Sequence, residues 1–249
     1  MKLRTLIIAC VSFTAIGCTS AHNYKEINKD TFKTKSGRNV VITAIKHASM
    51  EINFNGIIFE IDPVSTACQP ATDYTKMTKA DYIIVTHEHY DHFDKKAISI
   101  LSKPTTRIIT NGTCGKEFSE SIIMKNGDSI DLADNIKMYA VPAYNNTPGH
   151  TQFHPKGRDN GFILKIDGLR IYIAGDTEDI PELKQIKDID IAFLPCNQPF
   201  TMTPTQLRNA AKTIKPKVLF PYHLSDTDTT EILNKTKGLG IDVRIRGYM

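Results

Sequence analysis

The sequence has few of the features that mark nucleic-acid-binding or disulfide-rich proteins. Its 249 residues have a formal net charge of only +4 and no run of lysine or arginine, so we expect no nucleic-acid partner. Only five cysteines are present, without the C-x-x-C spacing of a cysteine-rich metal site. A Gly-x-Ser-x-Gly motif is also absent, which argues against a serine nucleophile of the type found in α/β-hydrolases.

The apolar stretch at the N-terminus is short. Residues 6–18, LIIACVSFTAIGC, follow Lys2 and Arg4, and they are too few to cross a bilayer. A basic start, an apolar run and a stop at small residues are typical of a signal peptide. The ending AIGC resembles the lipobox of bacterial lipoproteins and predicts that Cys18 is the acylated mature N-terminus. The alternative is a buried N-terminal strand or helix.

These features divide the chain into three parts. We predict a lipoprotein signal peptide at residues 1–18, a polar, lysine-rich tether at residues 19–36 and one domain at residues 37–249. The lipid on Cys18 predicts anchoring to a bacterial membrane, with the domain in the cell envelope facing the periplasm or the exterior. Nothing in the sequence indicates an oligomeric state. The remaining cysteines are predicted to be buried thiols: Cys68, Cys114 and Cys196.

Strand and helix signals alternate along the rest of the chain, which is typical of an α/β fold. The predicted strands are residues 39–45, 56–62, 81–87, 107–110, 136–143, 190–195, 217–223 and 242–247, with a hairpin over residues 161–176 around an Asp-Gly turn. The predicted helices are residues 95–102, 203–215 and 229–238. Asp94 is placed to cap the first helix, and a Thr-x-x-Gln capping box begins the second.

Two parts of the sequence resemble each other. NGIIFEIDP is followed by a spacer and ADYIIVTHEH, and later DGLRIYIAGDT is followed by a spacer and IDIAFLPCNQ. In both, a glycine-led strand ends in aspartate and an apolar strand then leads into polar residues. This pattern suggests a duplicated unit with two sheets related by a pseudo-twofold axis, and a functional site where the strand ends of both halves meet.

The stretch THEHYDHFD, residues 86–94, has an unusual density of metal-binding side chains. His87 ends an apolar strand, and His89 follows two residues later, so both point to the same side and can bind one metal. Asp91 and His92 come where the chain turns into a helix and can face a second metal. Imidazole nitrogens and carboxylate oxygens suit zinc first, with manganese and iron as alternatives. The other interpretation is a polar loop that is rich in histidine.

These motifs resemble the metallo-β-lactamase superfamily of metal-dependent hydrolases, over about residues 40–247. THEHYDHFD matches its H-x-H-x-D-H motif, IYIAGDTEDIPEL matches the strand whose aspartate bridges two metals, and VLFPYHLSD matches the strand whose histidine binds the second metal. AIKHASMEINFNGIIFEIDP is similar to the opening hairpin of the lactonase-like and phospholipase D-like branch, with Lys46 in place of a glycine. The resemblance implies a four-layer αββα sandwich and a hydrolase domain at residues 37–249.

The resemblance also implies the ligands. TPGHTQFHPKG offers two candidates for the third histidine, His150 in PGHT and His154 in FHPKG. The run of residues 142–181 is closer to the small-hydrolase branch, which favours His154. The implied ligands of two divalent metals are His87, His89, Asp91, His92, His154, Asp176 and His223.

Two residues outside the motifs are candidates for supporting roles. His47, at a strand end near the predicted cleft, either hydrogen-bonds a ligand or the substrate, or is a hydrogen-bonded histidine of the protein interior. We count it with Asp91 as a catalytic candidate. Asp62 either orients a ligand histidine or is a turn aspartate before proline.

The implied activity is hydrolysis at a dinuclear metal centre. Two metals lower the pKa of bound water, and a hydroxide bridging them can attack a carbonyl or phosphorus. An aspartate stands where several true β-lactamases have a cysteine, which argues against that activity. We therefore expect a small-molecule or lipid substrate with an ester, lactone or phosphodiester bond. The alternative is a non-catalytic metal- or solute-binding lipoprotein of the cell envelope.

Overall fold

The structure, a computed structural model, describes residues 28–247 and consists of two mixed seven-stranded sheets. The first sheet contains β1 (Lys29–Lys33), β2 (Asn39–Lys46), β3 (Ser49–Phe54), β4 (Ile57–Ile61), β5 (Tyr82–Ile84), β6 (Arg107–Thr110) and β7 (Ile122–Ile123). The second contains β8 (Ser129–Ala133), β9 (Ile136–Ala143), β10 (Asp159–Ile166), β11 (Leu169–Ile173), β12 (Ile191–Pro195), β13 (Val218–Tyr222) and β14 (Asp242–Val243).

Three α-helices accompany the sheets. They are α1 (Lys95–Leu101), α2 (Pro204–Ile214) and α3 (Thr229–Thr236), and short 3₁₀ helices lie at Tyr74–Lys76, Cys114–Glu117 and Pro181–Gln185. The predicted caps are confirmed, since Asp94 accepts from two backbone N–H groups of α1 and Thr203 forms a capping box with Gln206 at α2. None of the helices described is long and apolar enough to span a membrane.

Both sheets follow the same strand plan. Strands β1 to β4 are antiparallel neighbours and β4 to β7 are parallel ones. The order is repeated in the second sheet, where β8 to β11 are antiparallel and β11 to β14 are parallel. The predicted duplication is thus confirmed in the strand order. In each half, the carboxyl ends of the parallel strands lie at one edge, where their loops can meet.

Apolar side chains form three layers of contact. The central layer joins the facing sides of the two sheets, with Ile52 and Phe59 from one and Leu164 and Phe220 from the other. On the outer faces, α1 covers the first sheet, and α2 and α3 cover the second. The predicted α/β fold, a four-layer αββα sandwich, is confirmed.

The start of the domain differs from the prediction. Residues 19–36 were expected to form a tether, but Lys29–Lys33 pair with β2 as strand β1. The reason is that KDTFK reads as polar although Phe32 packs against the central core and Asp30 is buried among arginines. Strand β3 was also missed, despite its alternation of apolar and polar residues. The predicted signal peptide, Cys18 and residues 19–27 lie outside the described residues.

Asp30 links the first strand of one sheet to the end of the other. Its carboxylate accepts hydrogen bonds from Arg244 Nη1 at 2.8 Å and from Arg246 Nε and Nη2 at 2.8 and 2.7 Å. The two guanidinium groups lie over the rings of Phe32 and Phe220, at 5.4 and 5.6 Å from the ring centroids. Burial opposes ionisation, but the two arginines outweigh it and hold the pKa of Asp30 below its ordinary value.

We expect Asp30→Asn to lower the free energy of unfolding by about 2 kcal/mol, because charge-assisted hydrogen bonds are lost at a buried site. A lowered pKa in the folded chain means that this contribution is complete above the ordinary pKa of 3.8 and is lost as the pH falls below it. Urea unfolding between about pH 6 and about pH 3 measures both effects.

The matched control is Asp242→Asn, which removes an exposed partner of Arg244 and should cost less than about 1 kcal/mol. Equal losses for the two variants, or a loss for Asp30→Asn that does not shrink at low pH, would contradict the assigned role of Asp30.

Candidate metal centre

The predicted ligands come together at one end of the sandwich. The H-x-H-x-D-H motif lies in the loop between β5 and α1, and Asp176 and His223 follow β11 and β13. His154 lies in the loop between β9 and β10, and His47 lies in the two-residue turn between β2 and β3. All of these residues thus lie in loops that connect strands and helices, where their side chains can leave the hydrophobic core.

The side chains form two groups, each with potential ligand atoms within 4.8 Å of one another. One group is His87, His89, His154 and Asp176, and the other is His47, Asp91, His92 and His223. All seven predicted ligands therefore belong to one of the groups. His47 is the additional member, and His150 belongs to neither. Whether each residue binds metal stays a prediction.

Asp176 lies between the two groups. Its Oδ2 is 3.3 Å from His154 Nε2 and 3.8 Å from His87 Nε2 on one side. On the other side, Oδ2 is 3.2 Å from His223 Nε2 and Oδ1 is 3.4 Å from His92 Nε2. This is the position that a carboxylate shared by two metals must occupy.

Several buried polar atoms of these groups lack a hydrogen-bond partner in the described part of the chain. They are His87 Nε2, His92 Nε2, both ring nitrogens of His223 and Asp176 Oδ1. Buried nitrogen and oxygen atoms without partners are rare because each costs free energy. These are ligand atoms that zinc and similar divalent cations accept, so the residues present fit a metal centre.

Asp62 fixes the position of the H-x-H-x-D-H motif through contacts with Thr86 and His92. It follows β4, and its carboxylate accepts from the Thr86 N–H at 2.8 Å and from Thr86 Oγ1 at 2.7 Å. It also lies 2.8 Å from His92 Nδ1, which leaves His92 Nε2 directed at Asp176. Asp62 therefore orients the His92 ring, in agreement with its first interpretation, while metal binding by His92 stays a prediction.

The loop around the third histidine is fixed in a similar way. His154 Nδ1 lies 2.6 Å from Asn145 Oδ1, so Nε2 is directed into the first group, 3.2 Å from His89 Nδ1. His150 instead contacts the buried Glu178, with Nδ1 3.3 Å from Oε1. Glu178 also accepts two backbone N–H groups of the same loop. It therefore anchors the loop that presents His154.

His47 supports the second group through both backbone and side chain. Its Nε2 lies 3.1 Å from Asp91 Oδ2, and its carbonyl accepts from the His223 N–H at 3.1 Å. The two imidazole rings are 3.8 Å apart between centroids. His47 and His223 both have positive φ, 47° and 53°, a strained conformation that often occurs at functional sites.

The charged groups of the cluster shift one another's pKa values. Burial would raise the pKa of Asp176, but His223 and His92 hold it well below the usual value. Burial would lower the pKa of His223, but Asp176 and Asp91 raise it to about 9. Burial and the neighbouring His92 lower the pKa of His87 well below its usual value. The ionised carboxylate is the form that a divalent cation binds, whereas His223 has to lose its proton when a metal binds.

A cleft of about 520 Å³ opens beside both groups. Aromatic side chains form much of its wall beyond the ligands, namely Tyr90, Phe153 and Phe200. Cys68 also lines it and is partly exposed, so the prediction of a buried thiol is wrong there. The reason is that its segment lies at the mouth of the cleft. Cys114 and Cys196 are buried as predicted.

Lys46 hydrogen-bonds to the segment of the cleft wall that contains Cys68. The lysine is 1% exposed, and its ammonium donates to the carbonyls of Ser65, Cys68 and Pro70 at 2.7, 2.7 and 3.2 Å. A buried ammonium is tolerated only where its donors are satisfied. Lys46 thus organises segment 65–70.

Sequence reasoning missed the residues that support the ligands. Thr86 stands inside the motif, and Glu178 two residues after Asp176, but their types do not distinguish them from turn residues. Asn145 and Lys46 carried no signal for their contacts, which reach 9 positions along the chain to His154 and 19 to 24 positions to segment 65–70. Only three-dimensional proximity identifies them.

Comparison with known proteins places these features in a family. The profile of the beta-lactamase superfamily domain matches residues 41–223. A UPF0173 metal-dependent hydrolase of Caldivirga maquilingensis is 30% identical over 214 residues, which cover 80% of this chain and 90% of that protein.

Two solved structures are also similar. A protein of Parabacteroides distasonis described as a metal-dependent hydrolase is 50% identical, with a TM-score of 0.86 over 90% of this chain and 100% of that one. Igni18, a metallo hydrolase of Ignicoccus hospitalis, is 26% identical, with a TM-score of 0.71 over 83% of this chain and 94% of that one.

The two histidines of TPGHTQFHPKG can be separated by substitution. His154→Ala should weaken metal binding by more than the roughly 10–100-fold that is lost when a supporting residue is changed. His150→Ala is the control and should retain metal, because His150 contacts Glu178 and not the cluster. Metal content after dialysis against a weak chelator measures the difference. Loss of metal from the His150 variant alone would reverse the assignment.

Proposed function

The chain belongs to the metallo-β-lactamase superfamily, among its UPF0173 metal-dependent hydrolases, and on that basis we propose that it cleaves an ester, lactone or phosphodiester with two metals. That it is a metal-dependent hydrolase follows from the family. The dinuclear centre and the substrate bond are the proposal. The observation that carries it is the position of Asp176 between two groups of potential ligands.

The ligands divide between the metals as the groups do. His87, His89 and His154 would hold one divalent ion, and Asp91, His92 and His223 the other, with Asp176 shared. Nitrogen and carboxylate ligands favour zinc, with manganese and iron as alternatives. When bound, the two ions supply a water of lowered pKa and polarise the oxygen under attack.

The chain's own residues orient this chemistry. Asp62 and Asn145 fix the rings of His92 and His154 from behind. Asp91 reaches the cleft, and the pair formed by its Oδ2 and His47 Nε2 at 3.1 Å can hold a proton at the cleft edge. The open cleft next to the ligands favours this function over a closed, non-catalytic metal-binding site.

The protein loaded under metal-replete conditions should contain two divalent ions per chain. Asp176→Ala should lower the content of both sites together, because both groups approach its carboxylate. Elemental analysis measures this, with Asp131→Ala as a control in an exposed carboxylate of β8. A wild-type content of at most one ion would contradict the dinuclear centre.

Turnover should be measured on the same preparations, with one generic phosphodiester and one generic lactone or ester. We expect hydrolysis of at least one of them, and loss of activity in Asp176→Ala but not in Asp131→Ala. A fully loaded protein that hydrolyses none of these bonds would contradict the proposed substrate bond.

We also propose that the protein is lipid-anchored in the cell envelope through Cys18. Support comes from the AIGC ending behind a basic and apolar start. Several acyl chains on one cysteine give stable anchoring.

Cys18→Ser should therefore release or mislocalise the protein without loss of metal binding, because every proposed ligand lies beyond residue 46. Cys10→Ser is the matched control within the apolar stretch and should remain anchored. Fractionation and mass spectrometry of the N-terminal peptide decide the question. An unmodified Cys18 on an intact N-terminus, in a cytosolic protein, would refute the anchor.

A further inference from the structure

The cleft beside the metal centre has an uncharged outer wall. Apart from the proposed ligands and His47, the side chains that line it include no lysine, arginine, aspartate or glutamate among residues 28–247. The neutral polar ones are Gln69, Asn197 and Ser225, and the aromatic ones are Tyr90, Phe153 and Phe200. Charge in the cleft is therefore confined to the metal-binding end.

Two of the three aromatic side chains are exposed to solvent. Phe200 and Tyr90 are 41% and 74% exposed, and they are two of the four large hydrophobic residues exposed in the described chain. Phe200 packs edge-on against Phe153, with ring centroids 5.0 Å apart. Exposed apolar surface that is concentrated at one cleft marks a place where a ligand gains free energy by covering it.

Cations near the site already have partners. Arg158 contacts Glu88 and Asp159 at 3.0 and 2.7 Å, and Lys156 contacts Glu182 at 2.7 Å. The ammonium of Lys46 is buried behind the wall and its donors are taken by three carbonyls. A second anionic group on a ligand would thus find no free cation among the side chains that line the outer cleft, which is unfavourable.

We infer that the outer cleft is a subsite for an uncharged aryl or alkyl group next to the bond that is cleaved. The position of the cleaved bond at the metals is taken from the proposed function. It narrows the substrate class to compounds whose only anionic group, if any, lies at the metals. Ligands with a second carboxylate or phosphate in the outer cleft are excluded by the same reasoning.

Hydroxamates test the subsite by binding alone, since they attach to metals and need not react. Isothermal titration of the metal-loaded protein would compare acetohydroxamate, benzohydroxamate and 4-carboxybenzohydroxamate. The phenyl group should improve binding about tenfold over the methyl group, and the added carboxylate should remove that gain.

Substitution of Phe200 tests whether the gain in affinity comes from the outer cleft. Phe200→Ala should weaken benzohydroxamate binding about fivefold and leave acetohydroxamate unchanged. Leu233→Ala is the matched control, because Leu233 is 45% exposed but lies on α3 and does not line the cleft; it should change neither affinity.

The possible outcomes distinguish failure of the proposed subsite from failure of the proposed function. Equal binding of the three probes, preference for the carboxylated one, or no effect of Phe200→Ala would overturn the subsite. Failure of all three to bind would overturn it together with the metal centre. A phenyl preference in a protein that hydrolyses none of the bonds tested above would support the subsite and contradict only the proposed substrate bond.

Discussion

The buried cluster of imidazoles and carboxylates is the constraint on which this fold depends. Burial of such groups costs free energy unless every polar atom finds a partner. For two of the rings the protein supplies a partner on the side that faces away from the cluster, Asp62 for His92 and Asn145 for His154. The inward nitrogens converge on Asp176. Cations bound at this point would satisfy them and would also join loops from both sheets.

The repeated strand plan explains how one site receives ligands from two halves. The first half contributes a contiguous loop, residues 87–92, between a parallel strand and α1. The second half contributes His154, Asp176 and His223 from three separate loops. A sandwich of two similar sheets thus brings together, at one end, residues that lie up to 176 positions apart, the separation of His47 and His223. The outer helices leave that end open, so a cleft remains beside the ligands.

The sequence alone predicts those parts of the fold and of the site whose signal is local. The contiguous motif, the helix caps and the apolar strands need only neighbouring residues. Asp176 and His223 required the family resemblance, because single residues after strands are common. Strand β1 was missed since Asp30 and Phe32 find their partners at the far end of the chain, in Arg244, Arg246 and Phe220. Contacts between distant segments leave no trace in local composition.

Lys46 gives the cleft wall a property that a bound ion could not. Its ammonium sits among three carbonyl oxygens, a set of ligands that sodium or potassium also accepts. Here the positive charge is covalently attached to the end of β2 and cannot exchange with the medium. The shape of segment 65–70 is consequently independent of the monovalent salt around the protein, which matters for a wall that borders a solvent-filled opening.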